Sequence, residues 1–194
     1  MSPRSIGSTL AGAALSALLA GPLAAQAAQG SDALWFGGGL GPGVALVTCS
    51  ICRADRGTAP TAVLRLGGRL NPRMLVGAEA TVWAGGPSGV NESMWGLGVV
   101  GYYFPRPRGT FYWKAGLGYL SWHSSDGRDV LSAGSVGLVL GNGWEFRIAR
   151  QLSLSPWVSV FAAPVGASIE FNGGAIQPGA GLLLAQLGIS LTKR

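Results

Sequence analysis

The stretch Thr61 to Trp83, TAVLRLGGRLNPRMLVGAEATVW, alternates between two faces with a period of two. Ala62, Leu64, Leu66, Gly68 and Leu70 share one face of its first half, and Met74, Val76, Ala78, Ala80 and Val82 share one face of its second. The opposite faces carry Arg65 and Arg69, then Glu79. Successive side chains of a strand point to opposite sides, so the stretch predicts a β-hairpin with one wholly apolar face. A loop Asn71-Pro72-Arg73 centred on Pro72 sets Leu70 across from Met74, Leu66 across from Ala78 and Arg65 across from Glu79. Opposite charges at facing positions attract, and a proline in the turn sacrifices no ladder hydrogen bond.

The same alternation recurs in Leu34–Val47, Ser93–Phe104, Phe111–Tyr119, Val136–Ile148, Leu152–Val160 and Leu183–Leu191. Between the runs lie Cys49–Pro60, Ala84–Asn91, Pro105–Gly109, His123–Asp129, Ala149-Arg150 and Ala163–Pro178, read as loops that are alternately long and short. The hairpin and these six runs give eight strands and no helical period after the N-terminal segment. Eight antiparallel strands in this rhythm predict an all-β, up-and-down barrel.

The apolar faces contain no Asp, Glu, Lys or Arg, whereas the opposite faces hold Arg65, Glu79, Lys114, Glu145 and Arg147 among glycines. A lipocalin-like soluble carrier would turn the apolar faces inward; a transmembrane barrel turns them outward. Trp95, Tyr103, Phe111, Trp113 and Tyr119 stand at strand ends on the apolar faces, where aromatic girdles meet the bilayer interfaces. A barrel of about eight strands has a lumen just wide enough for side chains, which suits long charged residues beside glycine. The five charged residues are therefore expected to form one mutually neutralising network that plugs the lumen.

Composition agrees with that choice. Charged residues are 11% of the chain, against roughly 25% in ordinary soluble domains. The net charge of +6 comes from scattered arginines without a basic run, which argues against nucleic acid as a partner. Arg4, an apolar run from Ile6 to Ala20, Pro22 and Ala25-Gln26-Ala27 read as a secretory signal peptide over residues 1–27, cut between Ala27 and Ala28. Residues 28–194 are then the mature barrel domain. With the mature N-terminus in the periplasm, Arg69, Arg73, Arg106, Arg108, Arg147, Arg150, Lys193 and Arg194 fall at the periplasmic end, where Glu145 is the only acid. Such a basic rim suits anionic phospholipid headgroups.

LRLGGRLNPRMLVGAEATVW and YWKAGLGYL carry a family likeness. From Leu34 to Thr192 the chain resembles the small outer-membrane β-barrel proteins of Gram-negative bacteria, akin to the OmpA-type eight-stranded barrels. The resemblance implies an outer-membrane monomer that contacts outer-membrane lipids and the outer-membrane assembly machinery, and that needs no cofactor or metal. It departs at the end: such barrels often finish on an aromatic residue, and this chain finishes Leu191-Thr192-Lys193-Arg194.

Two candidate chemistries remain. Cys49 and Cys52 are the only cysteines, and in an oxidising compartment they are expected to form a local disulfide. His123 and Ser125 form a His-x-Ser pair similar to that of outer-membrane lipid A deacylases. Here Asp126 follows where that family has Asn, and no acid is suitably placed on the next strand. The reading of the sequence is thus an outer-membrane barrel with a structural or interaction role through its external loops. A lipid A-modifying hydrolase and a soluble periplasmic carrier are the alternatives.

Overall fold

The computed structural model of the chain describes residues 34–49, 56–86, 90–107 and 109–194. The expected signal peptide with its Ala27/Ala28 cleavage, Arg108 and Cys52 lie outside the described residues. The strands are β1 (Leu34–Thr48), β2 (Arg56–Asn71), β3 (Met74–Gly85), β4 (Asn91–Tyr103), β5 (Phe111–Ser125), β6 (Val130–Trp144), β7 (Phe146–Arg147), β8 (Leu152–Phe171) and β9 (Gly174–Lys193). Each long strand pairs antiparallel with its neighbours in sequence, β1 pairs with β9, and β6 pairs with β8. The eight long strands thereby close into a ring, which removes the edges an open sheet would leave unpaired. The two-residue β7 continues β6 past Glu145 and pairs with Leu154 and Ser153 of β8.

The β2–β3 hairpin runs in the expected register from Thr61↔Trp83 to Arg69↔Leu75, with Arg65 across from Glu79. It then slips: Asn71, not Leu70, faces Met74, so Leu70 is bulged and the turn shrinks to Pro72-Arg73. The Asn71 side-chain oxygen accepts the Arg73 N–H at 2.8 Å, a local bond that asparagine supplies readily in turns.

Three expected loops are shorter than the sequence suggests. Gly57–Pro60 pairs with Pro42–Ala45 of β1, and His123–Ser125 belongs to β5. Ala163–Pro178 is not a loop. It is the far end of the β8–β9 hairpin, closed by Asn172 (φ 48°) and Gly173 (φ 83°). Both turn residues have positive φ, the requirement of the tight turn that matches strand twist. The ladder shifts register between Ala163 and Ala167, between Ala167 and Ile169, and between Ile169 and Glu170. Burial still alternates through the stretch, with Ala163, Ala167 and Ile169 inward, but the outward positions Pro164, Gly166, Ser168 and Glu170 carry no large apolar side chain, so the apolar-out pattern fades from the sequence although the strands continue. The alternation of long and short connections dissolves with it: residues 104–110 outnumber residues 126–129.

The apolar faces point outward. Leu40, Leu64 and Val136 are 70%, 68% and 68% exposed, while Arg65, Glu79 and Lys114 on the inner face are 5%, 5% and 3% exposed. Trp95 and Tyr119 form one outward aromatic pair, and Phe111 with Trp113 and Trp144 another cluster nearer the opposite barrel end. Trp95 and Tyr103 on β4 are separated by roughly 26 Å of strand at about 3.3 Å per residue, enough for a tilted strand to cross most of an apolar band.

The barrel interior is not uniformly polar. Towards the β8–β9 turn it is filled by Trp83, Met94, Leu120, Phe161, Leu182 and Leu184, all buried. The Trp83 ring sits between Gly57 and Gly85 and donates its N–H to Gly43 O at 3.1 Å. Thr81 donates to the Gln186 side chain at 2.9 Å, and both are buried.

Candidate functional site

Below that apolar block, β2, β3, β4 and β5 place Arg65, Glu79, Tyr102 and Lys114 on the inner face. Glu79 is the hub. Its Oε2 accepts Arg65 Nε at 3.0 Å, the Tyr102 hydroxyl at 2.8 Å and Lys114 Nζ at 2.9 Å, and its Oε1 accepts Lys114 Nζ at 2.6 Å. Arg65 Nη1 donates to Ser190 Oγ of β9 at 3.1 Å. The Trp157 ring lies 5.1 Å from Arg65 Cζ and 5.6 Å from Lys114 Nζ, so both cations also rest on one aromatic face.

The register explains why long side chains fit. Arg65 stands between Gly37 and Glu79, Glu79 stands next to Gly98, and Lys114 stands next to Gly141. At Gly141 an added Cβ would lie 3.0 Å from Lys114 Cε and 2.4 Å from Val158 O, so the lysine needs a neighbour without a side chain. Buried charges are tolerated when paired and hydrogen-bonded, and here one carboxylate serves two cations.

Of the five charged residues expected in one network, the structure brings together Arg65, Glu79 and Lys114 and separates the rest. Glu145 sits at the break between β6 and β7 and forms an ion pair with Arg194. Arg147 is exposed at the barrel mouth. Both lie too near the end of the sheet to reach the middle of the lumen. Removing Arg65 would not strip Glu79 of partners, because Lys114 and Tyr102 remain.

Sequence reasoning missed Tyr102, Trp157 and Ser190, and it placed Arg194 on the basic rim without its pairing to Glu145. Tyr102 was within reach: it has inward parity and falls across from Lys114. Trp157 and Ser190 come from β8 and β9, which approach β2 only once β9 pairs with β1 to close the ring, so no local pattern reports them.

At the mouth beyond Glu145, a cavity of about 720 Å³ is lined by Arg69, Leu75, Phe104, Glu145, Arg147 and Arg194, among others. Arg69, Arg73, Arg106, Arg147, Arg150, Lys193 and Arg194 all fall at this end of the barrel, and Glu145 is the acid among them.

His123 is exposed on β5, with Ser93 and Ser132 as its neighbours across the ladders. Glu170 continues that outer row beyond Ser132. Two strand spacings put its backbone roughly 10 Å from that of His123, with the serine between them rather than at the end. Ser132 is not the expected partner; Ser125 stands two residues along β5 from His123, and its Oγ accepts the Gly127 N–H at 3.3 Å. Cys49 packs half-buried against the inner apolar cluster, and its expected pairing with Cys52 lies outside the described residues. Among the described residues, no three His, Cys, Asp or Glu side chains are grouped to hold a metal.

No family model matches the chain. No curated protein matches it either. Solved structures do. Neisserial surface protein A aligns with a TM-score of 0.53 at 11% identity, covering 82% of this chain and 96% of that one. Ail, the attachment invasion locus protein of Yersinia pestis, aligns with a TM-score of 0.51 at 11% identity, covering 83% and 99%. At such identity the likeness is one of fold, and the fold is that of the small, eight-stranded outer-membrane β-barrels.

Proposed function

We propose that the mature chain, residues 28–194, is a monomeric outer-membrane barrel with a structural or surface-contact role. The observation that carries this reading is the polarity of the wall. Leucine, valine and aromatic side chains cover the outside, while Arg65, Glu79 and Lys114 are held inside. A water-soluble carrier would not expose so continuous an apolar band, whereas a bilayer requires it. The signal peptide cut between Ala27 and Ala28 would deliver the chain to the periplasm, and the assembly machinery of the outer membrane would insert it.

In this reading the arginine-rich mouth is periplasmic and meets anionic headgroups of the inner leaflet. The opposite end, with the β8–β9 hairpin, faces the outside. There Phe171 and Ile176 are 40% and 51% exposed, offering apolar contact area beyond the barrel wall. The disulfide Cys49–Cys52 would stiffen the neighbouring loop. The apolar block and the charged cluster together close the lumen, and the protein works through its surface, without a cofactor and without catalysis.

Detergent extraction of envelopes, followed by electrophoresis of heated and unheated samples, tests the reading. A membrane barrel stays in the pellet until detergent is added and migrates faster before heating than after. Release into the soluble periplasmic fraction, with one mobility in both samples, would instead support a carrier.

A further inference from the structure

Between the charged cluster and the mouth lies a second cavity of about 20 Å³, lined by Trp35, Arg65, Tyr102, Phe104, Tyr112 and Arg194, with Leu75, Glu145, Ser155 and Thr192 completing the wall. Among the described residues, five buried side-chain polar atoms have no hydrogen-bond partner: Trp35 Nε1, Arg65 Nη2, Tyr112 OH, Trp157 Nε1 and Arg194 Nε. Four of the five belong to side chains that line this one cavity. Trp35, Arg65 and Tyr112 are 4%, 5% and 3% exposed, so solvent at the surface does not serve them.

Those four atoms have a common chemistry. The indole and guanidinium nitrogens can only donate, and the tyrosine hydroxyl can donate as well as accept. The Tyr112 hydroxyl lies beside the Arg65 guanidinium, itself donor-only, without a well-formed hydrogen bond to it. Leaving buried donors unmet is costly, most of all for a charged group. The charges point the same way. Arg65, Lys114 and Arg194 face two carboxylates, Glu79 and Glu145, which leaves one positive charge over. Arg69 and Arg147 add to the positive field at Arg194. Glu145 lines the cavity too, but its carboxylate is engaged by Arg194.

We infer that this cavity binds one monatomic halide anion, chloride under physiological conditions. Its volume is room for a single water-sized occupant. A water molecule there can turn its hydrogens only towards Glu145, Ser155 or Thr192 and has one oxygen for the four donors. Chloride accepts from every side and balances the surplus charge. The shared walls at Leu75, Phe104, Glu145 and Arg194 connect the site to the larger cavity at the mouth, which gives the ion its route in. The bound anion would lock the lower lumen and add to barrel stability in proportion to chloride concentration until the site fills.

Diffraction from crystals of the detergent-solubilised protein grown in sodium bromide tests the site directly, since bromide gives an anomalous signal and water does not. The expected result is one anomalous peak within hydrogen-bond reach of Arg65 Nη2 and Trp35 Nε1. Ordered water in the cavity with no anomalous peak overturns the inference. In solution, the thermal midpoint should rise saturably when chloride replaces gluconate at constant ionic strength. Tyr112→Phe keeps the ring, Trp35→Phe replaces the indole by a smaller aromatic ring, and each removes one donor. Each should raise the half-saturating chloride concentration by about tenfold, the size of one charge-assisted hydrogen bond. An unchanged chloride response in both variants would contradict the site.

Discussion

Glu79 accepts four hydrogen bonds from three side chains, and that asymmetry decides how substitutions in the lumen should rank. Glu79→Gln leaves two buried cations with no counter-charge and should cost about 3–5 kcal/mol. Arg65→Gln removes one of two cations and leaves the carboxylate with Lys114 and Tyr102, so its cost should be distinctly smaller. Urea titration of the protein in lipid vesicles measures both, and equal losses would refute the hub. The Arg65–Glu79 pair is legible in the sequence because it depends only on strand parity and one turn. The Lys114 contact is not, because it joins β3 to β5 over the intervening β4 and depends on how the sheet curves inward.

At the scale of the strand, the alternation between faces has a direct energetic reading. Leu66 faces outward and is 59% exposed. Leu66→Arg should therefore cost about 2–4 kcal/mol if that position lies near the bilayer midplane. The same titration checks it, and a neutral effect would place the position away from the hydrocarbon midplane. The turn at residues 126–129 behaves differently. Asp126 Oδ1 accepts the N–H groups of Asp129 at 2.9 Å and Arg128 at 3.0 Å. The Asp129 bond first, and then the Arg128 bond, hold the exposed Asp126 carboxyl below the ordinary carboxylate range. A depressed folded-state pKa means the turn is supported above the ordinary carboxylate pKa and loses that support as pH falls through the lowered value. The Arg128 and Asp129 amide resonances should shift together on acidification, and Asp126→Asn should weaken the dependence. At the β8–β9 turn, Gly173 has φ 83°. Gly173→Val should loosen the hairpin tip while leaving the unfolding midpoint of the barrel unchanged, as amide exchange would report. This hairpin is also where the sequence was least readable: its outward positions Pro164, Gly166, Ser168 and Glu170 carry no large apolar side chain, and a strand without an apolar face looks like a loop.

For the whole molecule, the eight-strand closure and the outward apolar wall follow from alternation alone, because both depend on which residues share a face. The interior does not. Met94, Val100 and Leu120 stand on the inner side, yet nothing local distinguishes a polar lumen from one half filled by an apolar core. That core emerges when the strands curve and bring Trp83, Phe161 and Leu184 onto one another. The rim pair Glu145–Arg194 likewise needs β6 and β9 to meet at the mouth. The exposed apolar band, Leu66 within it, is expected to face lipid. A nitroxide at position 66, in a Cys49→Ser, Cys52→Ser background reconstituted into vesicles, measures this by its collision rates with oxygen and with a water-soluble nickel complex. The account predicts high oxygen and low nickel accessibility there; high nickel accessibility would contradict it.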